Sequence, residues 1–228
     1  IPYLSILHSQ MEFTSKNLTF IIVTFNSKKV IFKCLNSLPK SFPKIIIENS
    51  SDQELKKELE RNYVNTTVIL SANIGMGAGN NLGIVKSKTK FAYVLNPDVI
   101  LREDTIFNIN NSVSGLENFA ILSPISDDLK YPNYKLNKKN DLDKNNLIEN
   151  VEEIDGYSMI INKSFFSDNN FFDEKFFMYL ENVDLCLRAK KKDGELFIIK
   201  NSKIHHLGAQ AVDDKYSKEV ELLRNWHW

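Results

Sequence analysis

The chain has 228 residues, 43% of them hydrophobic, and its 29 basic and 29 acidic side chains cancel. That length buries a substantial core in one large or two fused small domains, with a single α/β unit the economical reading. The neutral balance argues against a general nucleic-acid binder and leaves room for a local anionic ligand. Cys34 and Cys186 are too far apart for a disulfide framework or a CxxC metal site, so both are read as buried small apolar residues in a reducing compartment.

No run approaches the roughly 20 apolar residues that span a bilayer. Residues 1–10 lack the basic start and cleavage site of a signal peptide, and residues 1–16 are read as a tail outside the fold. Residues 20–24 form a short apolar, β-branched strand. Asn26 and Ser27 are capping types, and Val30, Ile31, Cys34, Leu35 and Leu38 then recur at helical spacing until Pro39. Residues 44–48 repeat the strand, Asp52 opens a polar helix with Leu55 and Leu59 inward, and residues 66–70 make a third strand. A helix around residues 80–88 and a strand at 91–95 follow. Apolar strands alternating with helices are what a parallel sheet covered on both faces requires. Ligands in such arrays bind beyond the carboxyl ends of the strands, which gathers residues 24–26, 48–52, 71–79 and 96–98 around one crevice.

Residues 126–153 are rich in Lys, Asn and Asp and read as a long surface loop or lid. They divide residues 17–125 from a second half at 154–228, with a strand at 156–161, a helix at 180–192 closed by Gly194, a strand at 196–199 and a terminal helix marked by Val220 and Leu223. Arg224-Asn225-Trp226-His227-Trp228 holds both tryptophans and then stops, so the natural protein is expected to continue.

Four segments could carry chemistry. Gly75, Gly77, Gly79 and Gly83 follow a strand and open a helix, where glycine lets backbone amides approach a phosphate or ring, with a tight strand-to-helix turn that holds no ligand as the plain alternative. The dinucleotide pattern G-x-G-x-x-G is not met, which disfavours a nicotinamide or flavin enzyme. Leu95-Asn96-Pro97-Asp98-Val99 delivers a carboxylate to the end of a buried strand, a hard oxygen ligand for Mg²⁺ or Mn²⁺ at a diphosphate, although Asn-Pro-Asp is also an ordinary turn. Glu181, Asp184 and Arg188 share one helical face, with Val183, Cys186 and Leu187 turned inward. A solvated ion-paired face is the plain alternative. His205 and His206 are adjacent after a strand, and one of them could face a metal.

Val23-Thr24-Phe25-Asn26-Ser27, Glu48-Asn49-Ser50-Ser51-Asp52, residues 73–83 and Leu95-Asn96-Pro97-Asp98 stand in the order and spacing of family 2 glycosyltransferases. The resemblance continues through Asp155-Gly156, residues 177–188 and His206-Leu207-Gly208. It covers residues 17–226 and is closest to the rhamnosyltransferase-like branch. It implies a GT-A fold: a Rossmann-like nucleotide-binding half with a mostly parallel sheet, fused to a smaller acceptor-binding half. By that likeness Thr24, Asn26, Glu48 and Asn49 frame the base and ribose, and the segment holding Asn73, Gly75, Gly79 and Asn80 closes over the nucleoside. Asn96 and Asp98 stand at the Asp-x-Asp metal motif, with Asp98 and His206 as ligands of a divalent Mg²⁺ or Mn²⁺. Asp155 and Gly156 would meet the acceptor.

The family usually shows Glu-Asp where this chain has Glu181-Asn182, and asparagine cannot serve as general base. The role passes to Glu181, with Asp184 as the alternative. The resemblance implies inverting transfer of a sugar, a rhamnose-like deoxyhexose in the nearest branch, from a nucleotide-diphosphate donor to a saccharide or lipid-linked acceptor. It also implies a cytoplasmic location near the inner membrane face; the aromatic, basic residues 224–228 read as a plain packed helix end, with a peripheral membrane contact as the alternative. A sugar-nucleotide-binding protein without catalysis and a nucleotidyltransferase are the competing readings.

Overall fold

The computed structural model describes residues 11–116, 118–128, 130–137, 145–166, 169–208 and 218. The expected terminal helix and residues 224–228 lie outside them.

β1 (Leu18–Thr24), α1 (Lys28–Ser37), β2 (Lys44–Glu48), α2 (Gln53–Asn62), β3 (Thr66–Leu70), α3 (Met76–Lys86) and β4 (Phe91–Leu95) follow the expected alternation. β3, β2, β1 and β4 lie side by side and parallel, with Thr24 opposite Glu48 and Glu48 opposite Leu70. Their carboxyl ends therefore open on one edge. β5 (Val99–Leu101), α4 (Thr105–Val113), β6 (Ile121–Ser126), β7 (Tyr134–Leu136), β8 (Ile148–Ile154), β9 (Ser158–Asn162), α5 (Glu181–Lys191) and β10 (Leu196–His206) complete the described elements. The strand order is β3-β2-β1-β4-β9-β6-β10-β8-β7, with β5 on β10. β9 runs antiparallel to β4 and β6, while β10 is parallel to β6. The sheet is thus continuous across both halves.

Each face of the sheet carries its own apolar cluster. Leu18, Phe20 and Ile22 of β1 pack with α1, α2 and α4; Ile21 packs on the other side with Ile84 of α3 and Leu185, Cys186 and Ala189 of α5. Alternation along one strand therefore holds both layers. Asp52 caps α2 by accepting from the Leu55 N–H at 2.9 Å. Ser27 does not cap α1, because its hydroxyl turns back to Phe25.

Four expectations are corrected. Residues 11–16 belong to the fold: Phe13 is fully buried edge-on against Phe91, and its N–H and carbonyl are both bonded to Asn110. Residues 126–153 are not all loop, since β7 and most of β8 lie within them. Asn133, with 0% exposure, bonds Ser123, Pro124 and Ser126 through its side chain and Asp155 through its carbonyl. β10 continues past residue 199 to His206 through an irregularity between Ile199 and Lys203. On α5 Leu185 is buried and Leu187 is 53% exposed, because the helix begins at Glu181 and buries that residue with Leu185 and Ala189.

Candidate active site

The carboxyl ends of β1, β2 and β4 and the segments after β3 and before β9 meet at one crevice. Its core is Asp98. The turn Asn96-Pro97-Asp98 is closed by the Val99 N–H donating to the Asn96 carbonyl at 3.2 Å. β5 then pairs with β10 so that Val99 faces His206. His206 Nε2 lies 3.4 Å from Asp98 Oδ1. Asp98 is 1% exposed, and neither of its oxygens accepts a hydrogen bond. A buried carboxylate without a donor is costly, and a cation offsets that cost. Carboxylate plus imidazole is a donor pair that a divalent ion such as Mg²⁺ or Mn²⁺ accepts. Among the described residues no group of three or more His, Cys, Asp or Glu side chains could hold a metal ion, and Asp98 and His206 are the two that meet here. His205 faces the other way, its Nδ1 2.9 Å from Asp127, which also pairs with Arg102.

Glu181 borders the same crevice. Asn96 N–H donates to the Tyr157 carbonyl at 3.0 Å, and the Tyr157 ring stacks on His206 with centroids 4.0 Å apart. The neighbouring Gly156 lies against Glu181 and Asn182: a Cβ there would come within 3.2 Å of Asn182 Cβ and 3.8 Å of Glu181 Oε1. The turn 155–157 therefore bridges Asp98 and Glu181. Tyr157 escaped the sequence reading; an aromatic directly after Asp155-Gly156, entering a strand, was the available signal. Burial pushes the Glu181 carboxyl up to about 6, and its Oε2 has no partner. Burial, then the nearby Glu153, raises Asp155 to about 6, with His206 opposing. Tyr179 and Leu180, which deliver Glu181, both have φ of +68°, a strained conformation for side chains with a Cβ.

Asp184 is committed elsewhere, paired with Arg188 at 2.7 Å. Asn182 donates to the Ile154 carbonyl at 3.2 Å and so ties α5 to β8.

On the nucleotide side Thr24 and Asn49 are buried at the ends of β1 and β2, joined by the Asn49 N–H to Thr24 carbonyl bond of 2.8 Å. Asn49 Nδ2 reaches the Gly75 carbonyl at 3.1 Å, while Asn49 Oδ1 and Asn80 Oδ1 are buried without partners. Asn26 has a left-handed φ of 53° beside them. Glu48 is buried at the end of β2. Its carboxylate bonds Ser50 and accepts from the Asp52 N–H at 2.6 Å, so it shapes the turn 48–52. Asn73 Oδ1 accepts from the Gly75 N–H at 3.4 Å.

The glycines also make close contacts within the chain. Gly75, at φ +87°, lies where a Cβ would be 2.4 Å from the Phe177 carbonyl oxygen; at Gly79 it would meet Val23 at 2.9 Å and at Gly83 Ile21 at 2.4 Å. These close approaches are to the chain itself: Gly79 and Gly83 seat α3 on β1, and Gly75 admits the Phe177 carbonyl.

No family model matches the chain. It is 25% identical over 91% of its length to the low-salt glycan biosynthesis hexosyltransferase Agl10 of Haloferax volcanii, of which it spans 69%. It is 27% identical over 74% of its length to the rhamnosyltransferase WbbL of Escherichia coli, spanning 75% of that protein. Its fold matches Staphylococcus aureus TarS in complex with UDP-GlcNAc at TM-score 0.60 and 18% identity, over 82% of this chain and 57% of that one. It also matches GalNAc-T7 with UDP, GalNAc and Mn²⁺ at TM-score 0.66 and 14% identity, over 83% of this chain and 43% of that one. At those identities the structures speak for the fold alone. Agl10 and WbbL are sugar transferases by name and the solved neighbours share the fold, so the chain is similar to glycosyltransferases of the hexosyltransferase type in sequence and to TarS and GalNAc-T7 in fold.

Proposed function

We propose that this crevice binds a nucleotide-diphosphate sugar with a divalent cation and transfers the sugar, with inversion, to a hydroxyl of a saccharide or lipid-linked acceptor. The observation that carries the reading is Asp98: buried, unbonded at both oxygens, beside His206 and across the 155–157 turn from a second buried carboxylate. Residues 17–125 would form the donor half. There Thr24, Asn26, Asn49, Asn73 and Asn80 frame the nucleoside, Gly75 and Gly79 seat the segment over it, and Glu48 acts indirectly by fixing the 48–52 turn. Residues 154 onward would form the acceptor half, with Asp155 and Gly156 at its entrance.

Asp98 and His206 would hold Mg²⁺ or Mn²⁺, with Asn96 supporting the turn; the ion's chemistry there is to neutralise charge on the departing diphosphate. The chain's own part is proton transfer and positioning. Glu181, ionised, accepts the proton of the acceptor hydroxyl while that oxygen forms its bond to the anomeric carbon. The carbon–oxygen bond to the diphosphate breaks on the opposite face, and its electron pair leaves with the nucleotide. A carboxyl near 6 suits this role at neutral pH, being mostly ionised yet more basic than an exposed glutamate. The pairing of Asp184 with Arg188 and the bond from Asn182 to Ile154 favour Glu181 over its neighbours.

The names of the relatives, a glycan biosynthesis hexosyltransferase and a rhamnosyltransferase, support a glycan acceptor and a deoxyhexose donor such as rhamnose, in polysaccharide biosynthesis. Among the described residues no helix is long and apolar enough to cross a membrane. A lipid-linked acceptor would bring the enzyme to the inner membrane face from the cytoplasm. The test is nucleotide release from a panel of dTDP-, UDP- and GDP-sugars with Mg²⁺ or Mn²⁺. Release from at least one donor, lost with chelator and in Asp98→Ala, is expected. Activity that survives both removes the metal assignment, and donor binding by calorimetry without turnover on any acceptor favours a binding protein instead.

A further inference from the structure

Glu181 arrives in the crevice at the end of residues 169–180, which form no helix or strand and yet are held from two helices. On α3, Asn81 bonds both backbone groups of Phe172: its Nδ2 donates to the carbonyl at 2.8 Å and its Oδ1 accepts from the N–H at 2.9 Å. The same Nδ2 reaches Glu174 at 3.0 Å. On α5, Arg188 donates through Nη1 to the Asn170 carbonyl at 2.9 Å and through Nη2 to the Phe171 carbonyl, while its Nε holds Asp184 at 2.7 Å. The carbonyls of three consecutive residues, 170–172, are therefore captured by two side chains. One comes from the helix that borders the nucleotide half and the other from the helix that Glu181 begins.

Further along, the Phe177 carbonyl accepts the Met76 N–H at 2.9 Å, just where Gly75 leaves no room for a Cβ. Tyr179 and Leu180 then take left-handed φ. Two adjacent side-chain-bearing residues persist in that conformation only where the surroundings over-determine it. The clamp on 170–172 and the Met76–Phe177 bond are among the constraints that precede them in the chain, and they are the ones that tie the segment to α3 and α5.

We propose that Asn81 and Arg188 are positioning residues for Glu181: by fixing residues 170–172 between α3 and α5 they hold Tyr179 and Leu180 left-handed and keep the Glu181 carboxylate in the crevice. This rests on Glu181 being the base. Neither side chain need touch donor or acceptor, because both act through backbone carbonyls. Arg188 suits the task where lysine would not, since its planar fork serves two carbonyls and a carboxylate at once.

The test uses the full chain with Asn81→Ala, Arg188→Lys, Glu181→Gln and the Asn81→Ala/Glu181→Gln double variant. Hydrogen exchange by mass spectrometry should show faster uptake in peptides spanning 176–184 in both clamp variants, with β1 and β4 peptides unchanged. Nucleotide release, measured with Mn²⁺ and the most active donor of the panel, should fall roughly 10- to 100-fold in kcat with donor KM within about twofold, the signature of a misplaced group rather than lost binding. The double variant should be no slower than Glu181→Gln alone, whereas a merely structural defect would add to it. Unchanged uptake at 176–184, unchanged kcat despite raised uptake, or full additivity overturns the proposal. Should Asn81→Ala not fold, Arg188→Lys decides by the same readings. Wild-type kcat in Glu181→Gln removes the base assignment instead, and the exchange data still decide whether the clamp holds the segment.

Discussion

Asp98 sets stability against function at a single residue. A buried polar atom left without a partner costs about 1–3 kcal/mol, and more when charged. Asp98 leaves two such atoms at 1% exposure. Asp98→Asn keeps the shape and removes the charge, so without metal the variant should melt a few °C higher, at about 2–4 °C per kcal/mol for a chain of this size, while Mn²⁺-dependent nucleotide release is lost. Thermal melts in chelator, paired with the release assay, check both halves; a lower melting point would make Asp98 a structural group. Gly83 shows the opposite case, a site set by packing. A methyl there would lie 2.4 Å from Ile21 Cγ2 on β1, so Gly83→Ala should cost about 1–3 kcal/mol in denaturant unfolding. The glycines were conspicuous in the sequence, but their partner was not legible. Glycine permits close approach to a ligand or to the chain's own strand, and spacing does not distinguish the two.

At the scale of elements, α5 gives Asn182 a task that a carboxylate would not fill. Its Nδ2 donates to the Ile154 carbonyl, tying the first turn of the helix to the end of β8. Asn182→Asp would replace a donor by a carboxylate aimed at a carbonyl oxygen. The expected outcome is a loss of about 1–3 kcal/mol in stability and no gain in nucleotide release. A rise in kcat would show that the base belongs at 182. The inward face of α5 was misjudged from sequence because Leu185 and Leu187 are equally apolar. What chooses between them is the buried start at Glu181, set by the strained residues before it. β7 and β8 were missed for another reason. They end the strand order, and the sequence of β8, Ile148–Ile154, places Glu149, Asn150, Glu152 and Glu153 among only three apolar residues. An outlying strand with polar side chains carries the composition of a loop.

Over the whole molecule, the parallel half was legible because strands buried on both faces read as unbroken apolar runs. The order β4-β9-β6-β10 was not, since it joins residues far apart in sequence and no local pattern reports it. That order places β9 beside β4, and with it the 155–157 turn and Glu181 beside Asp98. Global stability should register this placement through pH. Burial raises the folded Glu181 carboxyl to about 6, against about 4.3 in an unfolded chain. As pH rises between these values the unfolded state releases its proton first. The stability contributed by the protonated, buried carboxyl is therefore complete below about pH 4 and is lost as pH rises through 6, on the order of 2 kcal/mol. Glu181→Gln cannot ionise and escapes the loss. Its melting temperature should match wild type near pH 4 and exceed it by roughly 4–8 °C at pH 8. Wild-type nucleotide release should climb through the same interval, because only the ionised carboxylate accepts a proton. A difference in melting temperature that stays constant from pH 4 to 8 would mean that Glu181 ionises as readily folded as unfolded, and a base tuned by burial would then be the wrong description of this site.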